Sequence, residues 1–251
     1  MPRLVAVVPV FNEAATVPGV VRRLGKLCPV IVVDDASTDG SGAGAAAAGA
    51  RVVRLPARGG KGAALRLGFA EALRAGADGV ATLDGDGQHD PAELPRLIAA
   101  GRRVPEALVV GDRLGGLGDR IPRARLAAIR IADRWLGWLT GMPLRDTQCG
   151  FRLYPAVFLR AARLREEGFV LESEALVEAA RRGFPLVSVP LRAIYPPGRA
   201  SRFRGLADGL RIGRYLAREV VREAARRIAV EPRGRRVRVA WPLPDARGGG
   251  G

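Results

Sequence analysis

The chain has 251 residues, 48% of them hydrophobic, and a formal net charge of +16. That length accommodates one large α/β domain or two small ones, the apolar fraction excludes general disorder, and no apolar run reaches the ~18–20 uncharged residues of a membrane span. Lys26 and Lys61 are the only lysines among 41 basic residues, so the charge is almost wholly arginine, and it predicts attraction to phosphates on nucleotides, nucleic acid or anionic lipid.

Two cysteines, Cys28 and Cys149, fit a reducing compartment and exclude a cysteine-based zinc site. The N-terminal residues do not follow a signal-peptide pattern, because Arg3 precedes only a short apolar stretch before Pro9. The expectation is a cytoplasmic chain whose membrane contact is peripheral.

Residues 3–10 are β-branched and nearly continuous in hydrophobicity, as in a central parallel strand. They end in Pro9-Val10-Phe11-Asn12-Glu13 and lead into a helical stretch at 14–27. Residues 30–33 predict a second buried strand, ending in Asp34-Asp35-Ala36-Ser37-Thr38-Asp39. A helix, a third strand at 50–55 and the loop Arg58-Gly59-Gly60-Lys61-Gly62 follow, the loop opening a helix to about residue 75. That loop fits neither a P-loop nor a dinucleotide fingerprint, though backbone amides and a lysine at a helix start attract anions.

A fourth strand at 79–83 runs into Asp84-Gly85-Asp86-Gly87-Gln88-His89-Asp90-Pro91. A buried strand cannot hold these carboxylates, so the chain leaves the core at Asp84. Two hard oxygen donors two residues apart suit Mg²⁺ or Mn²⁺ on a phosphorylated substrate, while an Asp/Gly turn before a helix explains the same residues structurally. A fifth strand is expected at 108–111. Strands alternating with helices imply right-handed crossovers and a mainly parallel central sheet flanked by helices. Three of these strands thus end in polar residues, Asn12/Glu13, Asp34/Asp35 and Asp84/Asp86, at the edge where ligands bind in such sheets.

Residues 121–140 predict an amphipathic helix, with Arg123, Arg130 and Arg134 on one face and Ile131, Trp135, Trp138 and Leu139 on the other. Paired tryptophans there suit a membrane interface, and packing on the sheet is the structural alternative. A polar loop follows at 145–152, then helices at 154–164 and 172–182 and a proline-bearing edge strand at 184–191. A basic loop at 195–204 leads to a last helix at 205–228, with Leu206, Leu210, Gly213, Ala217, Val220 and Ala224 on one face and arginines on another. The pattern divides into 1–204 as the main domain, 205–228 as a basic amphipathic helix and 229–251 as a flexible basic tail.

Together with Gly60-Lys61-Gly62 and Asp146-Thr147-Gln148-Cys149-Gly150-Phe151-Arg152, these strand-end motifs resemble glycosyltransferase family 2, over roughly residues 3–215. Within it the chain looks most like the dolichyl- or polyprenyl-phosphate sugar transferases. The resemblance implies a GT-A fold and inverting transfer of a hexose from a nucleotide-diphosphate sugar, of the GDP-mannose or UDP-glucose type, with a divalent metal. It places Pro9, Phe11, Asn12, Glu13, Asp34 and Asp35 around the nucleoside, with Lys61, Asp84 and Gly85 also on the nucleotide. Asp84, Asp86 and Gln88 match the metal and diphosphate motif. Arg113, Arg125, Gln148, Arg152, Ser201 and Arg202 fall where such enzymes gather groups for the acceptor or donor phosphates, and Glu172 and Glu174 fall near the sugar. Three positions depart from the family pattern: Arg58 stands near a usual asparagine, Gly111-Asp112-Arg113 replaces Gly-Ser-Arg, and Ile129 replaces a common serine.

A lipid monophosphate acceptor is already ionised at neutral pH and needs positioning and charge neutralisation, not a strong base. A hydroxyl acceptor instead requires one of Asp146, Glu172 or Glu174 to take its proton. The expected acceptor is a polyprenyl phosphate at the cytoplasmic face of a membrane, and the alternative is a hydroxyl compound in solution. A nucleic-acid-binding role is disfavoured, since acids interleave the arginines and only 5% of residues are aromatic.

Overall fold

The computed structural model describes residues 3–117, 123–192, 194 and 205–229. The strands are β1 (Leu4–Val10), β2 (Val30–Asp34), β3 (Arg51–Arg54), β4 (Gly79–Thr82), β5 (Leu108–Asp112), β6 (Arg152–Pro155) and β7 (Leu186–Pro190). The helices are α1 (Val17–Leu24), α2 (Ser41–Ala47), α3 (Gly60–Arg74), α4 (Leu94–Arg103), α5 (Leu114–Leu117), α6 (Arg123–Thr140), α7 (Ala156–Ala161), α8 (Val170–Arg181) and α9 (Gly205–Ala229). A 3₁₀ turn at Pro91–Glu93, capped by the Asp90 carboxylate accepting from the Ala92 amide, leads into α4.

The seven strands form one sheet in the order β3-β2-β1-β4-β6-β5-β7. Valine-rich β1 and fully buried β2 lie side by side in parallel, with Val8 opposite Val32 and Val10 opposite Asp34. β4 flanks β1 on its other side. The helix α3 lies so close to β1 that a β-carbon on Gly68 would stand 2.3 Å from Val7 Cγ1, which is why that turn of the helix carries no side chain. β7 is an edge strand, as its prolines led us to expect.

One strand departs from the expected pattern. Residues 152–155 pair antiparallel with β4 on one side and β5 on the other, where the sequence predicted a helix from 154. The helix α7 begins only at Ala156. Because β6 runs against its neighbours, its first residue, Arg152, lies opposite Thr82 and Val110 at the edge where β4 and β5 finish. The loop before β6 is thereby delivered to the carboxyl ends of the parallel strands.

The last two long helices also differ from the expected orientation. In α6, Ile129, Ala132, Leu136 and Leu139 are buried, while Ile131, Trp135 and Trp138 are 60%, 47% and 41% exposed. Leu139 therefore belongs to the core face and not with the tryptophans. In α9 the buried residues among those described are Asp208, Ile212, Tyr215, Leu216 and Glu219, whereas Leu210 is exposed. The buried face is rotated from the expected one because Glu219 sits on it, neutralised by Arg181 of α8 at 2.7 Å. The expected tail beyond Ala229 and the basic loop at 195–204 lie outside the described residues.

Candidate active site

A cavity of about 440 Å³ opens at the carboxyl ends of β1, β2 and β4. On one flank it is lined by Pro9, Phe11, Glu13 and Asp35. Both oxygens of Asp35 face the start of α3, Oδ1 accepting from the Gly59 amide at 2.6 Å and Oδ2 from the Gly60 amide at 3.0 Å. The Arg58 guanidinium lies 4.0 Å over the Phe11 ring, and both residues line the cavity. Arg58, noted in the sequence only as a departure, thus joins the candidate nucleoside flank.

Asn12 and Asp34 stand behind this wall. Asn12 adopts a left-handed φ of 51°, its side-chain oxygen accepts from the Thr38 amide at 2.8 Å, and its own amide donates to Ser37 Oγ at 3.0 Å. Asp34 accepts from the Ser37 amide and ion-pairs with Arg54. Neither lines the cavity; they shape the loop that follows β2.

At the centre, Asp84, Gly85, Asp86 and Gln88 line the cavity together with Lys61. The Lys61 ammonium is 2.6 Å from Asp84 Oδ1. Burial alone would raise the Asp84 carboxyl, but Lys61 and then His89 outweigh it and hold it well below the usual carboxylate range. Burial likewise works against the Lys61 charge, yet Asp84 and Glu172 push it above the ordinary lysine range. The buried His89 ring packs edge-on against Phe151, with Nε2 3.7 Å from Asp84 Oδ2. Asp86 Oδ1 accepts from the Gln88 amide at 2.9 Å.

These residues fit a divalent cation to a limited extent. Asp84 and Asp86 offer hard oxygens into one cavity, but no group of three His, Cys, Asp or Glu side chains among the described residues could encase an ion. Such a pair suits an ion that fills its remaining positions with substrate phosphate oxygens and water, as Mg²⁺ commonly does.

The loop before β6 is held by ion pairs and buried carboxylates. Asp146, at φ 51° and fully buried, accepts from Arg113 Nε, from Arg113 Nη2 and from the Arg113 amide at 2.7, 2.7 and 2.9 Å. Asp133 of α6 accepts from the Asp146 and Thr147 amides and from the Thr147 hydroxyl. Asp133 was not anticipated, although it is the only acid in α6. Arg113 lines the cavity and Asp146 does not, so the carboxylate aims and fixes the arginine. Cys149 is inert, burial pushing its thiol up to about 12.

Arg152 corrects the expectation of a phosphate contact. It is 0% exposed, and its guanidinium donates to the carbonyls of Cys149, Glu172 and Thr147 at 2.8, 2.6 and 2.6 Å, which ties the loop to α8. Glu174 is also removed from the cavity, accepting from the Arg165 and Glu166 amides at 2.9 Å each. Glu172 lies behind Lys61, its Oε1 3.0 Å from the ammonium. Gln148 does line the cavity. Ser201, Arg202 and the Arg125 side chain lie outside the described residues.

The far flank is apolar and comes from two helices, Ala128, Ile129, Ile131 and Ala132 of α6 and Gly209, Ile212, Gly213 and Leu216 of α9. Phe169, before α8, closes the floor, its ring 5.0 Å from the Lys61 ammonium. The α9 contribution was hidden in the sequence by the wrongly oriented face.

A family model for glycosyl transferase family 2 matches residues 5–159. The chain belongs to that family. An undecaprenyl-phosphate mannosyltransferase of Micrococcus luteus is 31% identical over 208 residues, spanning 75% of this chain and 82% of the relative. A polyprenol monophosphomannose synthase of Mycolicibacterium smegmatis is 31% identical over 203 residues, spanning 75% and 76%. Among solved structures, glucosyl-3-phosphoglycerate synthase from Mycobacterium tuberculosis, in complex with phosphoglyceric acid, superposes with a TM-score of 0.67 at 25% identity, covering 86% of this chain and 79% of that one. The same enzyme in complex with Mg²⁺ and uridine diphosphate gives a TM-score of 0.65 at 25% identity, covering 89% and 79%. The fold is accordingly that of the family 2 glycosyltransferases, a mainly parallel sheet flanked by helices, and the chain is a glycosyltransferase.

Proposed function

We propose that this glycosyltransferase moves a hexose, with inversion, from a nucleoside-diphosphate sugar to a polyprenyl phosphate at a membrane surface, using Mg²⁺ or Mn²⁺ held by Asp84 and Asp86. The observation that carries the reading is the two-sided cavity. Lys61, Arg113 and a divalent ion on its carboxylates suit a diphosphate, and its opposite wall is an apolar channel between α6 and α9. That wall continues outward from Ile131 to the exposed Trp135 and Trp138, with exposed Arg130 and Arg134 beside them. Aromatic residues with flanking cations favour a headgroup boundary, and no described helix is long and apolar enough to cross a membrane. The names of the bacterial relatives agree with such an acceptor.

The chemistry is consistent with these positions. The bound metal would stabilise charge on the departing diphosphate as a Lewis acid. Arg113, fixed by Asp146, supplies preorganised positive charge in the same cavity. None of the three carboxylates considered as general bases, Asp146, Glu172 and Glu174, lines the cavity, which favours a nucleophile already ionised, such as a phosphate monoester, over a hydroxyl.

The glucosyl-3-phosphoglycerate synthase likeness supports a second reading, with a small phosphorylated hydroxy acid as acceptor. One assay separates them. Purified protein with Mg²⁺ and either GDP-mannose or UDP-glucose is offered undecaprenyl phosphate in detergent or 3-phosphoglycerate. The lipid-phosphate reading expects a chloroform-soluble sugar lipid, lost on chelation; transfer to 3-phosphoglycerate alone would refute it.

A further inference from the structure

The Lys61 ammonium sits between two carboxylates of different character. Glu172 is 1% exposed, and neither of its oxygens makes a hydrogen bond of good geometry. The buried Arg152 adds positive charge nearby but does not hydrogen-bond the carboxylate, because its N–H groups are spent on backbone carbonyls, including that of Glu172 itself. A carboxylate so buried holds on to a cation in direct contact, and Lys61 Nζ is 3.0 Å from Oε1. Asp84 is more open and lines the cavity, with Lys61 on its Oδ1 at 2.6 Å. The pocket around this contact is kept bare: a β-carbon on Gly150 would lie 2.7 Å from Asp84 Oδ2 and 2.9 Å from Lys61 Nζ.

We propose that Lys61 is an exchangeable counter-cation of the metal site, which Glu172 retains throughout and which gives up Asp84 when a divalent ion arrives with a nucleoside diphosphate. The inference rests on the reading of Asp84 and Asp86 as metal ligands. An ammonium on Asp84 opposes a divalent ion arriving alone, since it cancels one of the two negative charges that ion would neutralise. A diphosphate in the same cavity gives the released ammonium a second anion to face, while the neutral Lys61–Glu172 pair stays put. Lys61 is then a positioning residue that couples metal binding to nucleotide binding, and such coupling is reciprocal.

Mn²⁺ binding to the full chain, followed by electron paramagnetic resonance with and without UDP or GDP, tests this without requiring turnover. The wild type is expected to bind Mn²⁺ at least tenfold more tightly in the presence of the better diphosphate. Lys61→Met is expected to bind Mn²⁺ alone at least tenfold more tightly than the wild type, with most of the diphosphate effect gone, while Lys61→Arg retains the wild-type pattern. Lys61→Met combined with Glu172→Gln removes the pair without orphaning the Glu172 charge, and should show the same tighter binding of Mn²⁺ alone and the same loss of the diphosphate effect, which keeps the test open if the single variant does not fold. Unchanged or weaker Mn²⁺ affinity in the lysine-free variants overturns the proposal. Absence of Mn²⁺ binding to the wild type with either diphosphate overturns it together with the metal reading. The expected exchange without transfer to any lipid phosphate upholds it and removes only the acceptor assignment.

Discussion

Replacing Asp146 by Asn tests whether this carboxylate holds the site or takes part in the chemistry. The side chain is fully buried, accepts three hydrogen bonds from Arg113, and leaves Arg113 with its charge uncompensated when neutralised. Removing one partner of a buried ion pair typically costs about 3–5 kcal/mol. For a chain of this size that corresponds to a fall in Tm of roughly 6–20 °C, at about 2–4 °C per kcal/mol. Activity should fall with it, because Arg113 loses its aim. A double-mutant cycle with Arg113→Met separates the effects: the Arg113→Met/Asp146→Asn pair should be more stable than Asp146→Asn alone, with a coupling of roughly 2 kcal/mol or more. Differential scanning calorimetry and initial rates supply both readouts. Abolished activity at an unchanged Tm would refute the argument and make Asp146 a participant in proton transfer.

The other expectations are as follows. Asp84→Asn and Asp86→Asn should each lower kcat by roughly a hundredfold or more, in line with the loss of charge stabilisation at a transition state, with circular dichroism unchanged. Trp135→Ser with Trp138→Ser should weaken co-sedimentation with anionic liposomes by roughly tenfold or more, given the apolar area withdrawn, while leaving Tm nearly unaltered. Gly68→Ala drives a methyl into Val7 at the α3–β1 contact and should cost about 1–3 kcal/mol in urea unfolding. A chelator should abolish transfer, and Mg²⁺ should restore it.

The central strands β1 and β2 could be read in the sequence because each is a short valine-rich run that gives way to polar residues, Asn12 and Glu13 after β1 and Asp34 and Asp35 at the end of β2, and burial on both faces demands that composition. β6 could not be read in this way. Its four residues include an arginine, a tyrosine and a proline, and it becomes a strand only because β4 and β5 leave a gap of one strand between them. The site was legible where a residue meets the cavity directly, as at Asp35, Asp84, Asp86 and Arg113. It was illegible where polar residues serve the protein interior. Arg152 reads as a phosphate ligand in a polar loop, yet it is a buried brace. Glu219 turns a charged position into the packed face of α9, which no count of apolar residues reveals. Asp133 fixes the loop from a helix some distance away in the sequence.

The reversed strand β6 also bears on how the chain is made. Synthesised from the N-terminus, β1 to β4 can zip together as they emerge, but β5 appears before the strand that must separate it from β4. Until residue 155 has been made, the nascent sheet has an open edge on β4, and β5 has neither of its final partners, since β7 comes later still. Bare edges of this kind invite pairing with other chains. Chains truncated between residues 112 and 152 should therefore aggregate during expression, whereas those extending past β7 should not.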